Sequence, residues 1–344
     1  MRVHCIGAGH WGPNLIRNFL AHPQVEVGGV YDPDPTRLEA MERAFPGIAT
    51  STDITEGLTD PSIDAVVIAT PFRTHFELTR TALLAGKHVL VEKPLCPTVA
   101  ECDELIEIAE ERDLVLAVGH VFLFNPGIRM LRSIIRSGEL GAIRTISAQR
   151  TNLGPFRYDA NALWDLVSHD VSIFRYLLGE NPVSVTACGG AFLNDGIEDV
   201  VNGAYLYEGG ALASFHASWL NPKKVREIVV VGEERMATWD DMNLLEPLRV
   251  YDKSVSVDTA EPNTSHTDFI LSTRDGDVHI PKVRGQEPLA GECAHFVECV
   301  LDGAAPVNDA MSARDFVAQL CAADRSIEAR GEPTTIETES YAHS

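Results

Sequence analysis

Asp165 and His169 stand four residues apart in Trp164-Asp165-Leu166-Val167-Ser168-His169-Asp170, a stretch with helical periodicity. On an α-helix, residues i and i+4 project from one face, one turn apart, so this carboxylate can orient the imidazole and favour its protonated form. Such a pair suits a residue that must accept a proton in general acid-base catalysis. It equally describes a polar pair on a helix surface, and spacing alone leaves both readings open. Lys93 is the second group, held between Glu92 and Pro94 at the end of the apolar run that begins at His88. The following proline restricts its backbone. A surface lysine is the plain alternative, but the chain has only six lysines, and this one falls at a carboxyl strand end, the edge where open parallel sheets bind ligands.

The element that must position this chemistry opens the chain. Arg2 to Asn14 reads as strand, tight turn and helix, with Gly7, Gly9 and Gly12 at G-x-G-x-x-G spacing around Ala8, His10 and Trp11. The first glycine serves the turn, the second lets backbone approach a pyrophosphate, and the third allows helix and strand to pack closely. Amides opening the helix then face the phosphates. Asp32 lies 20 residues after Gly12 and ends a second apolar run, Val25 to Tyr31, where its carboxylate can accept hydrogen bonds from a ribose diol and repel a 2'-phosphate. This combination predicts a Rossmann-type domain that prefers NAD to NADP. A glycine turn followed by an ordinary loop aspartate is the alternative.

Strand candidates Val3 to Ile6, Val25 to Tyr31, Ala65 to Ala69, His88 to Glu92 and Leu114 to Gly119 alternate with helix candidates Asn14 to Ala21, Arg37 to Ala44, Thr74 to Ala85 and Val99 to Arg112. This is the order of a parallel sheet covered on both faces by helices. Thr70 and Pro71 end the third strand. After Gly119 the pattern changes. Helices at Gly127 to Ser137 and Trp164 to Leu178 precede strand-like runs at Val183 to Cys188, Val200 to Tyr207, Ala211 to Trp219 and Arg226 to Val231, joined by hairpin-like turns. The expected fold class is α/β, a Rossmann domain with a parallel sheet over 1–120, followed by an α+β domain with an open, mostly antiparallel sheet over 121–336. The latter is the candidate for substrate binding and oligomerisation, and 337–344 is expected to be a frayed tail. Two helices, Gly291 to Leu301 and Ala310 to Glu328, close the second domain in this reading, and 253–288 is polar with no clear period.

With 344 residues the chain is long enough for two cores. It carries 28 basic and 50 acidic residues, a net charge of −22 that argues against nucleic acid as a partner. Two origins of that charge stay open: a generally acidic, arginine-preferring composition, or adaptation to high internal salt that screens self-repulsion. No apolar run reaches the length of a membrane span, and the first strand begins too early for a cleavable leader, so a cytoplasmic location is expected. Seven scattered cysteines with no C-x-x-C pair point to buried small hydrophobes rather than disulfides or a zinc site, and no metal is expected.

Gly7-Ala8-Gly9-His10-Trp11-Gly12, Glu92-Lys93-Pro94 and the Asp165 to His169 pair, in that order, resemble the Gfo/Idh/MocA family of NAD(P)-dependent oxidoreductases. The resemblance implies a Rossmann domain followed by a domain built on an open mixed sheet, often used to form a homodimer or homotetramer. It implies that Lys93, His169 and Asp165 are catalytic. Thr70, Pro71 and His75 then border the cofactor, together with Glu92, Lys93 and Pro94. A frequent family pattern has an arginine where this chain has Leu123, which turns the expectation away from simple sugars and inositol. Gly119 to Pro126, Arg150 to Gly154, Arg157, Asp159, Asn161 and Trp164 to Leu166 are similar to the branch that includes UDP-N-acetylglucosaminuronate 3-dehydrogenases, which serve cell-surface polysaccharide biosynthesis. The resemblance thus implies hydride transfer between C3 of a UDP-N-acetylhexosaminuronate, or a related nucleotide sugar, and the nicotinamide. Arg150, Arg157 and Asn161 are the substrate-binding candidates, with Lys223, Lys224 and Arg226 as a further source of positive charge. The alternatives are a dehydrogenase of a free sugar or inositol, an NAD-dependent redox-neutral glycosidase, and a non-catalytic NAD or sugar sensor.

Overall fold

The computed structural model describes residues 1–258 and 270–337. The chain divides into two compact units, Met1–Asn125 with Gln286–Cys321, and Pro126–Gly285 with Ala322–Ser344. The boundary expected at 120 therefore falls at 125, and 286–321, read above as part of the second domain, belongs with the first unit.

In the first unit the strands are β1 (Arg2–Ile6), β2 (Glu26–Tyr31), β3 (Thr50–Ser51), β4 (Ala65–Ile68), β5 (His88–Glu92) and β6 (Leu116–Gly119). They form one parallel sheet in the order β3-β2-β1-β4-β5-β6. This order reverses direction at β1, so the carboxyl ends of β1 and β4 flank the crevice where such sheets bind ligands. Helices α1 (Gly12–Ala21), α2 (Pro35–Ala44), α3 (Thr55–Thr59), α4 (His75–Leu84) and α5 (Val99–Glu111) connect the strands. Local sequence fixes their starts. Asp34 caps α2 by accepting from the Thr36 amide, and Thr98 and Glu101 form a reciprocal capping box on α5.

The sheet's apolar residues Val3, Cys5, Val30, Ala65, Val67 and Leu90 pack with Leu15, Ile16 and Phe19 of α1, and also with Leu289, Cys293, Phe296 and Val297. The last four lie on α8 (Pro288–Asp302), whose Phe296 ring meets Phe19 edge-on at 6.4 Å between centroids. Apolar side chains at i, i+4, i+7 and i+8 give α8 one buried stripe, and the Rossmann core is what covers it. α9 (Ala310–Glu328) carries the chain out of this unit at Cys321.

The second unit contains α6 (Pro126–Arg136), α7 (Ser168–Leu178) and a nine-stranded sheet among the described residues. Its strands are β7 (Ile143–Leu153), β8 (Ser184–Gly190), β9 (Val200–Leu206), β10 (Leu212–Ser218), β11 (Leu220–Gly232), β12 (Met236–Asp240), β13 (Leu248–Asp258), β14 (Ile270–His279) and β15 (Thr334–Thr335). The order is β14-β13-β12-β11-β7-β10-β9-β8-β15, with β7 and β10 the one parallel pair. The mostly antiparallel sheet is as expected. The polar stretch 253–288 turns out to contribute to β13 and β14, and 273–280 is exposed residue after residue, so this edge hairpin lacks the alternation that marks a half-buried strand. Most of the tail, 338–344, lies outside the described residues.

Cys5, Cys96, Cys102, Cys293 and Cys299 are buried as expected, whereas Cys188 is exposed on β8. Among the described residues no helix is long and apolar enough to cross a membrane.

Candidate active site

The glycine turn after β1 has the geometry its spacing predicts. Gly7 adopts φ +104°, and a Cβ there would lie 2.6 Å from the Ala69 carbonyl oxygen. On Gly12 a Cβ would lie 2.1 Å from the Gly7 carbonyl oxygen, so only glycine lets α1 start this close to the turn. At Gly9, by contrast, the neighbour within reach is the Arg37 guanidinium at 3.7 Å, and the protein leaves its backbone open to a ligand. Pro13 occupies the first turn of α1, where its missing N–H removes no helical hydrogen bond. His10 is exposed at the turn's crest and Trp11 half-buried beside it.

Asp32 directly follows β2 at 2% exposure, yet stays an acceptor on both oxygens: Ala8 N donates to Oδ2 at 2.8 Å and Asp34 N to Oδ1 at 2.9 Å. Arg37 Nη1 stands 3.6 Å from Oδ2. The turn, the open Gly9 backbone and the anchored carboxylate fit the diphosphate and ribose of a dinucleotide. Replacing Asp32 with serine removes the charge that repels a 2'-phosphate and leaves Arg37 to attract one. Asp32→Ser is therefore expected to narrow or invert the ratio of NADH to NADPH affinity, measured by fluorescence titration. Equal affinity of the native protein for both cofactors would contradict this role of Asp32.

On the other side of the switch point, Thr70 and Pro71 follow β4, and Glu92, Lys93 and Pro94 follow from the end of β5. His75, expected to border the cofactor, is an internal tie between these loops at 1% exposure. Its Nδ1 lies 2.8 Å from the Pro94 carbonyl oxygen and its Nε2 3.0 Å from that of Thr70, so one ring joins the two loops. Thr70 also meets Thr74 through their hydroxyls at 2.8 Å. The Lys93–Pro94 peptide bond is cis, and the Lys93 amide donates to Glu92 Oε2 at 3.3 Å.

His120, which follows β6, was not singled out by the sequence. It is buried against Phe316, ring to ring at 4.9 Å, and neither ring nitrogen has a hydrogen-bond partner among the described residues. Burial first, and the Lys93 charge second, push its pKa down to about 3. The ring is thus neutral at physiological pH and leaves the positive charge here to Lys93.

In the second unit, His169 lies in the first turn of α7, whose buried Asp170 accepts from Arg150 Nε at 3.0 Å and Nη2 at 2.8 Å. Arg150 was a substrate candidate, but at 3% exposure, with its partner at 1%, it is an internal strut that pins α7 to β7. Asn161 likewise turns to structural partners. Its Oδ1 accepts from the Trp164 amide, and its Nδ2 donates to Glu198 at 2.8 Å and Asp324 at 3.3 Å. Burial raises the Asp324 pKa above the usual carboxylate range.

Asp165 differs from the sequence expectation in its local backbone. Leu163–Val167 is a π-helical turn, so the α-helical i, i+4 geometry assumed for Asp165 and His169 does not apply across it. Asp165 Oδ1 receives Arg157 Nε at 2.8 Å and Oδ2 receives Trp219 Nε1 at 3.2 Å. Arg157 is half-exposed, which leaves part of its guanidinium available. Of the further cations, Arg226 pairs with Asp241 at 3.2 Å, while Lys223 and Lys224 are exposed.

The parallel sheet with its glycine turn and anchored acid defines a dinucleotide-binding protein with a second, mixed-sheet unit. Residues 1–120 match the family described as "Oxidoreductase family, NAD-binding Rossmann fold", and 128–238 match the "GFO/IDH/MocA C-terminal domain". The chain belongs to the Gfo/Idh/MocA family of oxidoreductases, and its first unit is an NAD-binding domain. UDP-N-acetylglucosamine 3-dehydrogenase of Acidithiobacillus ferrooxidans is 32% identical over 283 residues, 80% of this chain and 84% of that protein. Inositol 2-dehydrogenase of Rhizobium meliloti is 26% identical over 98% of each chain. Among solved structures, GenD2 from gentamicin A biosynthesis in complex with NAD superposes with a TM-score of 0.81 at 25% identity, covering 98% of this chain and 97% of its own.

Proposed function

We propose that this protein is an NAD-dependent dehydrogenase acting at C3 of a UDP-linked amino sugar. The observation that carries the reading is the placement of Lys93, one of six lysines, at the carboxyl end of β5 in the NAD-binding sheet, with a buried neutral imidazole beside it. Bound NAD supplies a hydride acceptor at the nicotinamide C4. In this reading His169 takes the proton of the sugar hydroxyl as general base while the carbinol hydride goes to the nicotinamide, and Lys93 stabilises the developing alkoxide or relays the proton that leaves it. Arg150 and Asp170 hold the helix that carries His169. Asp165, fixed by Arg157 and Trp219, holds a neighbouring hydroxyl or orients the base. A non-catalytic sensor needs neither Lys93 nor His169.

The substrate class follows from similarity to the Acidithiobacillus enzyme, whose named substrate carries a diphosphate but no uronate carboxyl. The burial of Arg150 in an internal ion pair removes one cation from those available to such a carboxyl, so the uronate is the less favoured member of the class. Arg157 remains the substrate-binding cation. Isothermal titration of the NAD-loaded protein is expected to give UDP-N-acetylglucosamine at least tenfold tighter binding than N-acetylglucosamine or myo-inositol, weakening as salt rises. Binding of a free sugar or inositol as tight as the nucleotide sugar would contradict the substrate assignment while leaving the family untouched. Turnover without net NADH formation, with the glycosidic bond cleaved, would point to the redox-neutral alternative.

A further inference from the structure

A π-helical turn is a rare departure from α-helical geometry, found as single turns that concentrate at functional sites. Leu163–Val167 is such a turn; it carries Asp165 and leads directly into α7 and His169. A conformation of this kind persists where surrounding groups hold it.

The hold comes from Asp324, on the part of α9 that belongs to the second unit. Its Oδ2 accepts from Trp164 Nε1, and its Oδ1 accepts from Asn161 Nδ2 at 3.3 Å. Asn161 in turn grips the backbone of the turn twice: its Oδ1 accepts from the Trp164 amide at 3.1 Å and its carbonyl oxygen from the Asp165 amide at 3.0 Å. One carboxylate therefore reaches both the indole and, through Asn161, the backbone on the residue just before Asp165. Trp164 is 8% exposed, so little water is at hand to replace these bonds. Only an ionised carboxyl accepts on both oxygens in this way; an amide brings one acceptor and two N–H donors.

We infer that Asp324 is a positioning residue for the reaction: by holding Trp164 and Asn161 it sets the π-helical turn, and with it the place of Asp165 and the start of the helix that carries His169. The inference rests on the reading of Asp165 and His169 given above. Small displacements of groups at a reacting centre are costly in rate. The glycine turn and the Asp32 anchor belong to the other unit, so the effect should fall on turnover and leave NADH affinity near native.

Asp324→Asn keeps the shape and one acceptor but turns an N–H donor toward Trp164 Nε1 or Asn161 Nδ2. With UDP-N-acetylglucosamine as substrate, kcat is expected to fall by about 10- to 10²-fold, up to the cost of misplacing catalytic groups. Trp219 gives a readout independent of turnover, because its Nε1 donates to Asp165 Oδ2 at 3.2 Å. The chain has four tryptophans, so nitrogen-15 labelling at tryptophan gives four indole N–H signals, of which Trp164→Phe and Trp219→Phe assign the two needed. In Asp324→Asn the Trp164 signal should move, and the Trp219 signal should move upfield as Asp165 withdraws and their hydrogen bond weakens. A residue that only stabilised the fold would lower Tm and disturb Trp164 while leaving Trp219 and kcat native. That result overturns the inference, as does a fall in kcat with Trp219 unmoved, or a moved Trp219 with native kcat. If Asp324→Asn does not fold, Trp164→Phe removes the donor in place of the acceptor; the inference then requires the same fall in kcat at native NADH affinity, and native kcat overturns it. Retained turnover in His169→Ala removes the reading on which the inference rests. Lost turnover in His169→Ala with native kcat in Asp324→Asn overturns the inference alone.

Discussion

Lys93→Met and His169→Ala are each expected to lower kcat by about 10²-fold or more, the scale of losing a general acid or base. Methionine keeps much of the lysine stem's volume but has no charge with which to stabilise an alkoxide, and alanine leaves no base for the hydroxyl proton. Neither side chain belongs to the glycine turn or the Asp32 anchor, so NADH affinity should fall far less than kcat, in Lys93→Met as in His169→Ala. Steady-state kinetics with UDP-N-acetylglucosamine, paired with NADH fluorescence titration, separates the two effects. A fall in kcat/KM equal to the fall in kcat marks an interaction made only in the transition state. Unchanged turnover in either variant would return that residue to a structural role. The double variant should lose less than the product of the two single losses, because groups acting in one chemical step are not additive.

Breaking the strut under α7 should have the largest effect on stability. Asp170→Ala leaves the Arg150 guanidinium buried opposite a methyl group, and removing one partner of a buried pair costs about 3–5 kcal/mol. For a protein of this size that corresponds to a fall in Tm of about 4–7 °C. Replacing both partners, as Arg150→Met with Asp170→Leu, should recover part of the loss, since both charges of this ion pair are then removed together. Differential scanning calorimetry of the three variants checks this, and equal losses in the single and double variants would mean that packing, not charge pairing, dominates at this site. Because Asp170 adjoins His169, kcat should fall in Asp170→Ala even at temperatures where the variant is fully folded.

The elements of the Rossmann domain were legible because their signals are local. The spacing of Gly7, Gly9 and Gly12 follows from backbone sterics, and Asp32 follows from the length of one strand-helix-strand unit. Apolar runs such as Val3 to Ile6 mark strands buried on both faces. Lys93 stood out through rarity and through its place at a strand end. Asp324 left a signal too, an acid beside apolar positions of the helical run Ala310 to Glu328, but such a run shows only that a face is buried and does not say against what. For the same reason the periodicity of α8 could not show that it completes the first unit's core.

The sequence by itself determined the fold class, the dinucleotide turn, the acid that anchors it and the family, because each depends on residues close together in the chain or on a motif of fixed spacing. Tertiary structure alone decided what the charged and polar side chains do. Arg150 has the chemistry of a substrate cation until Asp170, 20 residues on, takes it up in the interior. Asn161 resembles a cleft residue until Glu198 and Asp324 claim its amide. His75 becomes a tie between two carbonyls, and Asp165 rides a π-helical turn toward Arg157 and Trp219. A carboxylate or guanidinium can pair in many ways at similar local cost. Which pairing forms depends on what desolvation and distance allow once the strands and helices have packed, and these are properties of three-dimensional neighbours.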